Sequence, residues 1–232
     1  MPGVKTEQVE LSSTQAELDV PTVKPSKPYV FLTHGAGGDL STPGLRALSQ
    51  GLAESGHLSV RVNLPYRAAG SKSPPLAAKS VPGTTSIFEE VQARWGAKVP
   101  WVAGGRSYGG RVVSMCVAEG MDAAGLVFYS YPLHRPGDAS ELRVEHWPKI
   151  DVPCLFLAGD QDPLCNLEAL KANLESINGP VTLKVIEGGG HTLKVSGSRA
   201  PDGKARSEEQ VLSELVPQVV AWMQGLGIQI LR

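Results

Sequence analysis

The segment Gly105-Arg106-Ser107-Tyr108-Gly109 could present a serine hydroxyl to a carbonyl carbon. As a five-residue pattern it is weak evidence, because a chain with 26 glycines can match it by chance. Its placement carries the weight. A brief apolar run, Pro100–Ala103, leads into the glycine-rich turn at 104–110, and a helical pattern, Val112–Glu119, follows it. A nucleophilic serine held between strand and helix needs flanking glycines, since its backbone is strained and the two elements approach closely. The start of such a helix also directs free N–H groups and the positive end of the dipole at a developing oxyanion. A phosphate-binding turn would read GxGxxG or GxxxxGK[ST], and neither occurs.

Attack by Ser107 requires a base and an acid, and on a parallel sheet these come after the nucleophile in the order acid, then histidine. The predicted strand Cys154–Ala158 ends in Gly159-Asp160-Gln161-Asp162-Pro163. Asp162, three residues past the glycine, has room to fold back over the sheet edge. Asp160 leaves the strand at once and reads as a cap or a solvent-facing group. Asp-Gln-Asp-Pro lacks the later glycine and glutamate of a calcium loop. The next predicted strand, Thr182–Ile186, runs into Glu187-Gly188-Gly189-Gly190-His191. Of the 5 histidines, only His191 combines this chain order with a post-strand loop, and three glycines give it a flexible approach. The chemistry these residues imply is acyl transfer: Ser107 attacks, His191 moves the proton, and Asp162 orients the imidazole.

The loop His34-Gly35-Ala36-Gly37-Gly38 follows an earlier apolar run and could supply one oxyanion N–H; Tyr108 would supply the other. Ala36 is the favoured donor, with Gly35 and Gly37 as alternatives. His34 precedes the nucleophile and reads as a structural residue. Arg106, Arg67, His134 and Tyr131 lie beside or after predicted strand ends and are the candidate substrate-binding residues, although charged loop residues are most often only solvated. Arg111, one turn into the helix, reads as half of a structural ion pair.

These residues need a sheet to hold them. Tyr29–Thr33 is a short continuous apolar run, the pattern of a strand buried on both faces. Thr42 and Pro43 look like a capping hydroxyl and a first-turn proline, and Leu45, Leu48 and Leu52 line one helical face. Leu58–Val62 and Gly125–Ser130 are further strands. Residues 64–84 read as a long loop, equally a mobile flap or a disordered stretch, and Ser86 with Glu89 as the capping box of a helix carrying Ile87, Val91 and Trp95. Val211, Leu212, Leu215, Val216, Val219, Val220 and Met223 form a closing amphipathic helix. Strand alternating with helix predicts a mostly parallel, doubly wound α/β sheet with helices on both faces. Residues 1–28 form a polar N-terminal segment with an edge strand or two, and 29–232 a single domain. About 20 residues separate Tyr131 from Val152, too few for a large cap domain.

Composition narrows the class. A formal net charge of -1 offers no field to attract nucleic acid, and no apolar run suits a membrane span. The N-terminus does not read as a secretory signal. Three cysteines without CxxC spacing, two of them in apolar runs, favour free thiols in a reducing compartment, hence the cytoplasm. No cofactor and no metal site is expected.

Taken together HGAGG, GGRSYGGR, YPLHRPG, AGDQDPLC and GGGHTL resemble a small α/β-hydrolase family of largely unassigned substrate, related to dienelactone hydrolases. The chain is similar also to an animal testis-expressed protein and to a subunit of the non-specific lethal chromatin complex. The resemblance runs from about Tyr29 to Trp222 and implies an α/β-hydrolase fold with Ser107, Asp162 and His191 as its triad. Dienelactone hydrolase itself carries a cysteine where Ser107 stands, so a lactone substrate does not follow. The expected function is a serine hydrolase acting on small carboxylic esters or thioesters at an open site, as a monomer or small homo-oligomer. The alternative is a non-catalytic interaction module, which the chromatin-complex similarity implies; a peptidase of the same fold is a third reading.

Overall fold

The computed structural model describes residues 3–226. One eight-stranded sheet runs through it. The first three strands are β1 (Val4–Glu10), β2 (Gln15–Pro21) and β3 (Ser26–Thr33), followed by helix α1 (Pro43–Glu54) and strand β4 (His57–Val62). Two helices, α2 (Pro65–Ala68) and α3 (Ala77–Trp95), precede β5 (Trp101–Arg106), α4 (Tyr108–Ala118) and β6 (Gly125–Tyr129). The chain then forms β7 (Cys154–Gly159), α5 (Leu167–Asn173), β8 (Val181–Ile186) and α6 (Glu208–Gln224). The strand order is β1-β2-β4-β3-β5-β6-β7-β8. Strands β3 to β8 run parallel, and the β1–β2 hairpin adds antiparallel to β4.

Two apolar cores fill the two faces, as a doubly wound sheet requires. On one, Leu45, Leu48 and Leu52 of α1 and Leu212, Leu215 and Val219 of α6 pack against Val30, Leu32, Val102, Val127 and Leu157. On the other, α3 and α4 cover Phe31, Val60, Ala103, Phe128 and Phe156. Alternate residues of each central strand feed opposite cores, so β5 sends Val102 to one face and Ala103 to the other. The β1–β2 hairpin is fastened by a buried charge cluster. Arg61 lies 2.8 Å from Glu17 and 3.1 Å from Asp19, whose carboxylate also accepts the hydroxyls of Thr6 and Ser49. Thus β2 is not an edge; β1 takes that place.

Several local expectations give way to tertiary packing. Residues 64–84 are not a loop, because α2 lies within them and α3 begins at Ala77. Pro82 and Gly83 read as breakers, yet Ala77, Ser80, Val81 and Thr84 continue the buried stripe of Ile87, Phe88 and Val91. Burial of that stripe outweighs the propensity cost. Ser86 therefore caps nothing; its hydroxyl donates to Pro82 O inside the helix. Thr42 precedes α1 but makes no side-chain cap, its hydroxyl donating to Asp39 O instead. A reciprocal capping box is present at α6, between Ser207 and Gln210. Between β6 and β7 the chain folds into loops and a single 3-10 turn, Trp147–Lys149, so no large cap covers the sheet among the described residues.

His146 in this connection is buried, with Nε2 2.7 Å from Ser114 Oγ. Burial pushes its pKa down to about 4, against the opposing pull of Glu145. Between pH 6.5 and 4 the unfolded chain therefore binds a proton that the folded chain refuses. Stability is expected to fall as pH drops through that window, by up to about 3 kcal/mol. Urea unfolding across the window should show the slope, and His146→Gln should flatten it. An unchanged slope in the variant would show that some other group carries the effect.

Candidate active site

The sheet delivers three side chains to its carboxyl edge. Ser107 sits between β5 and α4 with φ 49° and ψ -114°, a conformation that L-residues rarely adopt. Its N–H is anchored to Tyr129 O at 3.0 Å, and its C=O accepts the first helical bond from Arg111 N–H. The flanking glycines are steric necessities. A Cβ on Gly105 would overlap Thr33 Oγ1 and lie 2.8 Å from Gly110 N, and one on Gly109 would overlap His34 O.

Asp162 and His191 arrive on the loops after β7 and β8. Those loops are pressed together: a Cβ on Gly159 would overlap the Gly189 carbonyl, and Gln161 N–H donates to Gly189 O at 2.9 Å. Asp160 serves the same junction, its Oδ1 accepting Gly188 N–H at 2.8 Å. The glycines before His191 supply a packed turn rather than slack. Gly188 has φ 72°, and a Cβ there would strike Arg199 O. The result is a continuous chain of hydrogen bonds. His191 Nδ1 lies 2.8 and 3.0 Å from the two oxygens of Asp162, and Nε2 lies 2.8 Å from Ser107 Oγ. The Asp162 side chain is fully buried and Oδ1 also accepts Leu164 N–H at 2.8 Å. A carboxylate facing Nδ1 fixes the proton there, which leaves Nε2 free to accept the serine proton.

The loop at 34–38 packs directly on this turn. His34 O lies over Gly109, and a Cβ on Gly35 would be 3.1 Å from Arg106 Nη1. His34 is a structural residue: Nδ1–H donates to Gly35 O and Nε2 accepts Leu64 N–H. Among the described residues the Ala36 N–H has no hydrogen-bond partner. The Tyr108 N–H, at the first position of α4, has none within the helix.

Each candidate substrate-binding residue is engaged elsewhere. Arg67 pairs with Asp39 at 3.1 Å, and Arg106 with Glu208 at 3.1 Å. Tyr131 is buried and donates its hydroxyl to Arg143 O at 2.8 Å. His134 is buried, with Nδ1–H directed at Arg135 O and Nε2 accepting Asn166 N–H. Tyr131 and His134 thus have their polar atoms taken up by packing at the sheet edge, whereas Arg67 and Arg106 are each held through one nitrogen and keep further guanidinium N–H groups without a protein partner among the described residues. Arg111 pairs with Glu145 at 3.0 Å. Beside the turn stands an aromatic wall the sequence did not single out. Tyr66 packs edge-on against both His34 and Tyr108, and the Tyr108 hydroxyl lies 2.9 Å from Ser80 Oγ. Tyr66 falls in a stretch that reads as loop, so no periodicity marks it.

The remaining reactive groups are quiet. Burial pushes the thiols of Cys116, Cys154 and Cys165 up to about 12, so none is a nucleophile near neutrality. Among the described residues no group of three or more metal-ligating side chains gathers, and no helix is long and apolar enough to cross a membrane.

A family model described as an alpha/beta hydrolase domain matches residues 26–224. The chain belongs to that family. Its fold recurs in solved structures of low identity. Est1E from Butyrivibrio proteoclasticus is 16% identical, with a TM-score of 0.70 over 95% of this chain and 99% of that one. Dienelactone hydrolase from Anabaena variabilis is 15% identical, with a TM-score of 0.71 over 97% and 98%. TT1662 from Thermus thermophilus is 20% identical, with a TM-score of 0.70 over 96% and 99%. These likenesses establish the α/β-hydrolase fold, and membership of the family makes the protein a hydrolase in outline.

Proposed function

We propose that this α/β-hydrolase is a serine hydrolase that cleaves small carboxylic ester or thioester bonds through Ser107, His191 and Asp162. The observation that carries the reading is the unbroken chain from Asp162 to His191 to Ser107, with both histidine nitrogens at 2.8 Å from a partner. In the first half-reaction Ser107 Oγ bonds to the acyl carbon while its proton passes to His191 Nε2. Asp162 stabilises the imidazolium this creates. The tetrahedral oxyanion would be held by the N–H groups of Tyr108 and Ala36. The alcohol or thiol leaves with the proton from Nε2, giving an acyl-Ser107 ester, and water repeats the sequence in reverse.

With no large insertion between β6 and β7, we read the site as one suited to small or flexible acyl groups. A related fold gives one precedent for such ligands: Est1E, 18% identical with a TM-score of 0.68, has been solved with ferulic acid bound. Three buried thiols suit a reducing compartment, and we place the protein in the cytoplasm.

A fluorophosphonate probe tests the reading. It should label the wild type and not Ser107→Ala, and p-nitrophenyl esters of graded chain length should then be hydrolysed faster than peptide amides. A folded wild type that takes no label would defeat the proposal and favour a non-catalytic interaction module. Faster cleavage of peptide amides would make it a peptidase.

A further inference from the structure

Behind the proposed triad, on the face covered by α1 and α6, lies a buried ion pair that hydrolysis does not obviously require. Arg106 Nε sits 3.1 Å from Glu208 Oε1, and both side chains are more than four-fifths buried, at 16% and 17% exposure. Arg106 immediately precedes Ser107; Glu208 opens α6, far along the chain. The Tyr129 hydroxyl, fully buried, completes the cluster, and Tyr129 pairs with Arg106 across the β5–β6 ladder. Neither Arg106 Nε, Glu208 Oε1 nor Tyr129 OH makes a well-directed hydrogen bond. The Arg106–Glu208 contact is therefore one of charge more than of directed hydrogen bonding, with the neutral Tyr129 hydroxyl packed beside it.

Such a pair is poor value as a stabiliser. Desolvating two ions costs about what their attraction returns, and apolar residues of equal volume would often do better. Yet three positions are committed to it. Gly44 of α1 is the third, since a Cβ there would lie 2.6 Å from Glu208 Cγ and Oε1. What the pair touches explains the commitment. The Arg106 guanidinium packs on Gly35, next to Ala36, while its backbone leads straight into Ser107 and Tyr108. Tyr129 O anchors the Ser107 N–H. One ion pair thus braces the two segments that carry the two proposed oxyanion donors, and fixes both to α6.

We infer that Arg106 and Glu208 are positioning residues that hold the Ala36 and Tyr108 N–H groups at the separation the oxyanion needs. The inference rests on the serine-hydrolase reading above. Neither side chain hydrogen-bonds to the triad; both brace the backbone, and Glu208 also lies within electrostatic reach of His191. The effect should appear in the transition state and not in substrate binding, because the donors meet a full negative charge only there.

The test is steady-state hydrolysis of p-nitrophenyl acetate, with inhibition by a phenylboronic acid as a tetrahedral mimic. Glu208→Gln and Arg106→Met should each lower kcat about 10- to 100-fold with KM within about twofold, weakening boronate inhibition by a similar factor. Arg106→Lys should recover part of kcat. The double variant Arg106→Met, Glu208→Leu guards against misfolding: removing both charges should restore the melting temperature without restoring kcat. Variants with wild-type kcat and a lowered melting temperature would overturn the inference and leave the pair purely structural. A raised KM at unchanged kcat would also overturn it, making Arg106 a substrate contact. A folded wild type without esterase activity would instead remove the serine-hydrolase reading, and this inference with it.

Discussion

Ser107→Gly is expected to lose nearly all hydrolytic activity and to melt above the wild type. The first effect follows from deleting the proposed nucleophile, which in serine enzymes costs on the order of 10⁶ in kcat. The second follows from the backbone. At φ 49° and ψ -114° Ser107 occupies a region that costs about 1–3 kcal/mol for a residue with a Cβ and little for glycine. Against this stand the lost hydrogen bond to His191 and the larger conformational entropy of glycine in the unfolded chain, each near 1 kcal/mol or less. With the strain near the upper end of its range, about 3 kcal/mol, the balance is a gain of about 1 kcal/mol, or roughly 2–4 °C for a chain of this length. Ser107→Ala makes the informative control, because it removes the nucleophile and keeps the strain. Thermal melts of the three proteins, beside rates on a p-nitrophenyl ester, give both readouts. If the glycine variant melts no higher than the alanine variant, no strain is stored at this turn; if either retains substantial turnover, Ser107 is not the nucleophile.

The sequence revealed the elements of the site better than its surroundings, for a physical reason. Ser107, Asp162 and His191 each sit at the end of a strand recognisable from a short apolar run. A parallel sheet brings every such end to the same edge, so local signals sufficed to place all three in one region. The choice between Asp162 and Asp160 was also local: one has the chain length to reach back, while the other is caught at once by Gly188 N–H. The fates of Arg106, Arg67, Tyr131 and His134 were not legible, because each depends on a partner supplied from elsewhere in the fold. Nothing near residue 106 announces that Glu208 will lie beside it, and an acidic residue opening a helix looks like an ordinary response to the dipole. The same limit hid the start of α3, where Pro82 and Gly83 signal a break and only the packing of Ala77 and Val81 decides otherwise.

Asp162→Asn is expected to lower kcat by about 10⁴ while leaving the fold intact. Two roles are lost together. In the proposed mechanism the buried carboxylate accepts a hydrogen bond from His191 Nδ1–H and offsets the positive charge the imidazole would acquire on attack by Ser107. Asparagine can still accept Leu164 N–H through its carbonyl oxygen. Its amide then turns a donor toward Nδ1, which drives the ring proton to Nε2 and leaves nothing to take the proton from Ser107 Oγ. Asp160→Asn supplies the contrast, since an amide oxygen there can accept Gly188 N–H as the carboxylate does, and its activity should stay within about threefold of wild type. Rates for the two variants on one ester, with thermal melts to confirm folding, separate a charge needed by the imidazole from a bond needed only by the loop. A loss below tenfold for Asp162→Asn would mean that His191 is held in its tautomer by some other group. A large loss for Asp160→Asn would mean that the junction of the two loops, and not the buried carboxylate, sets the position of the base.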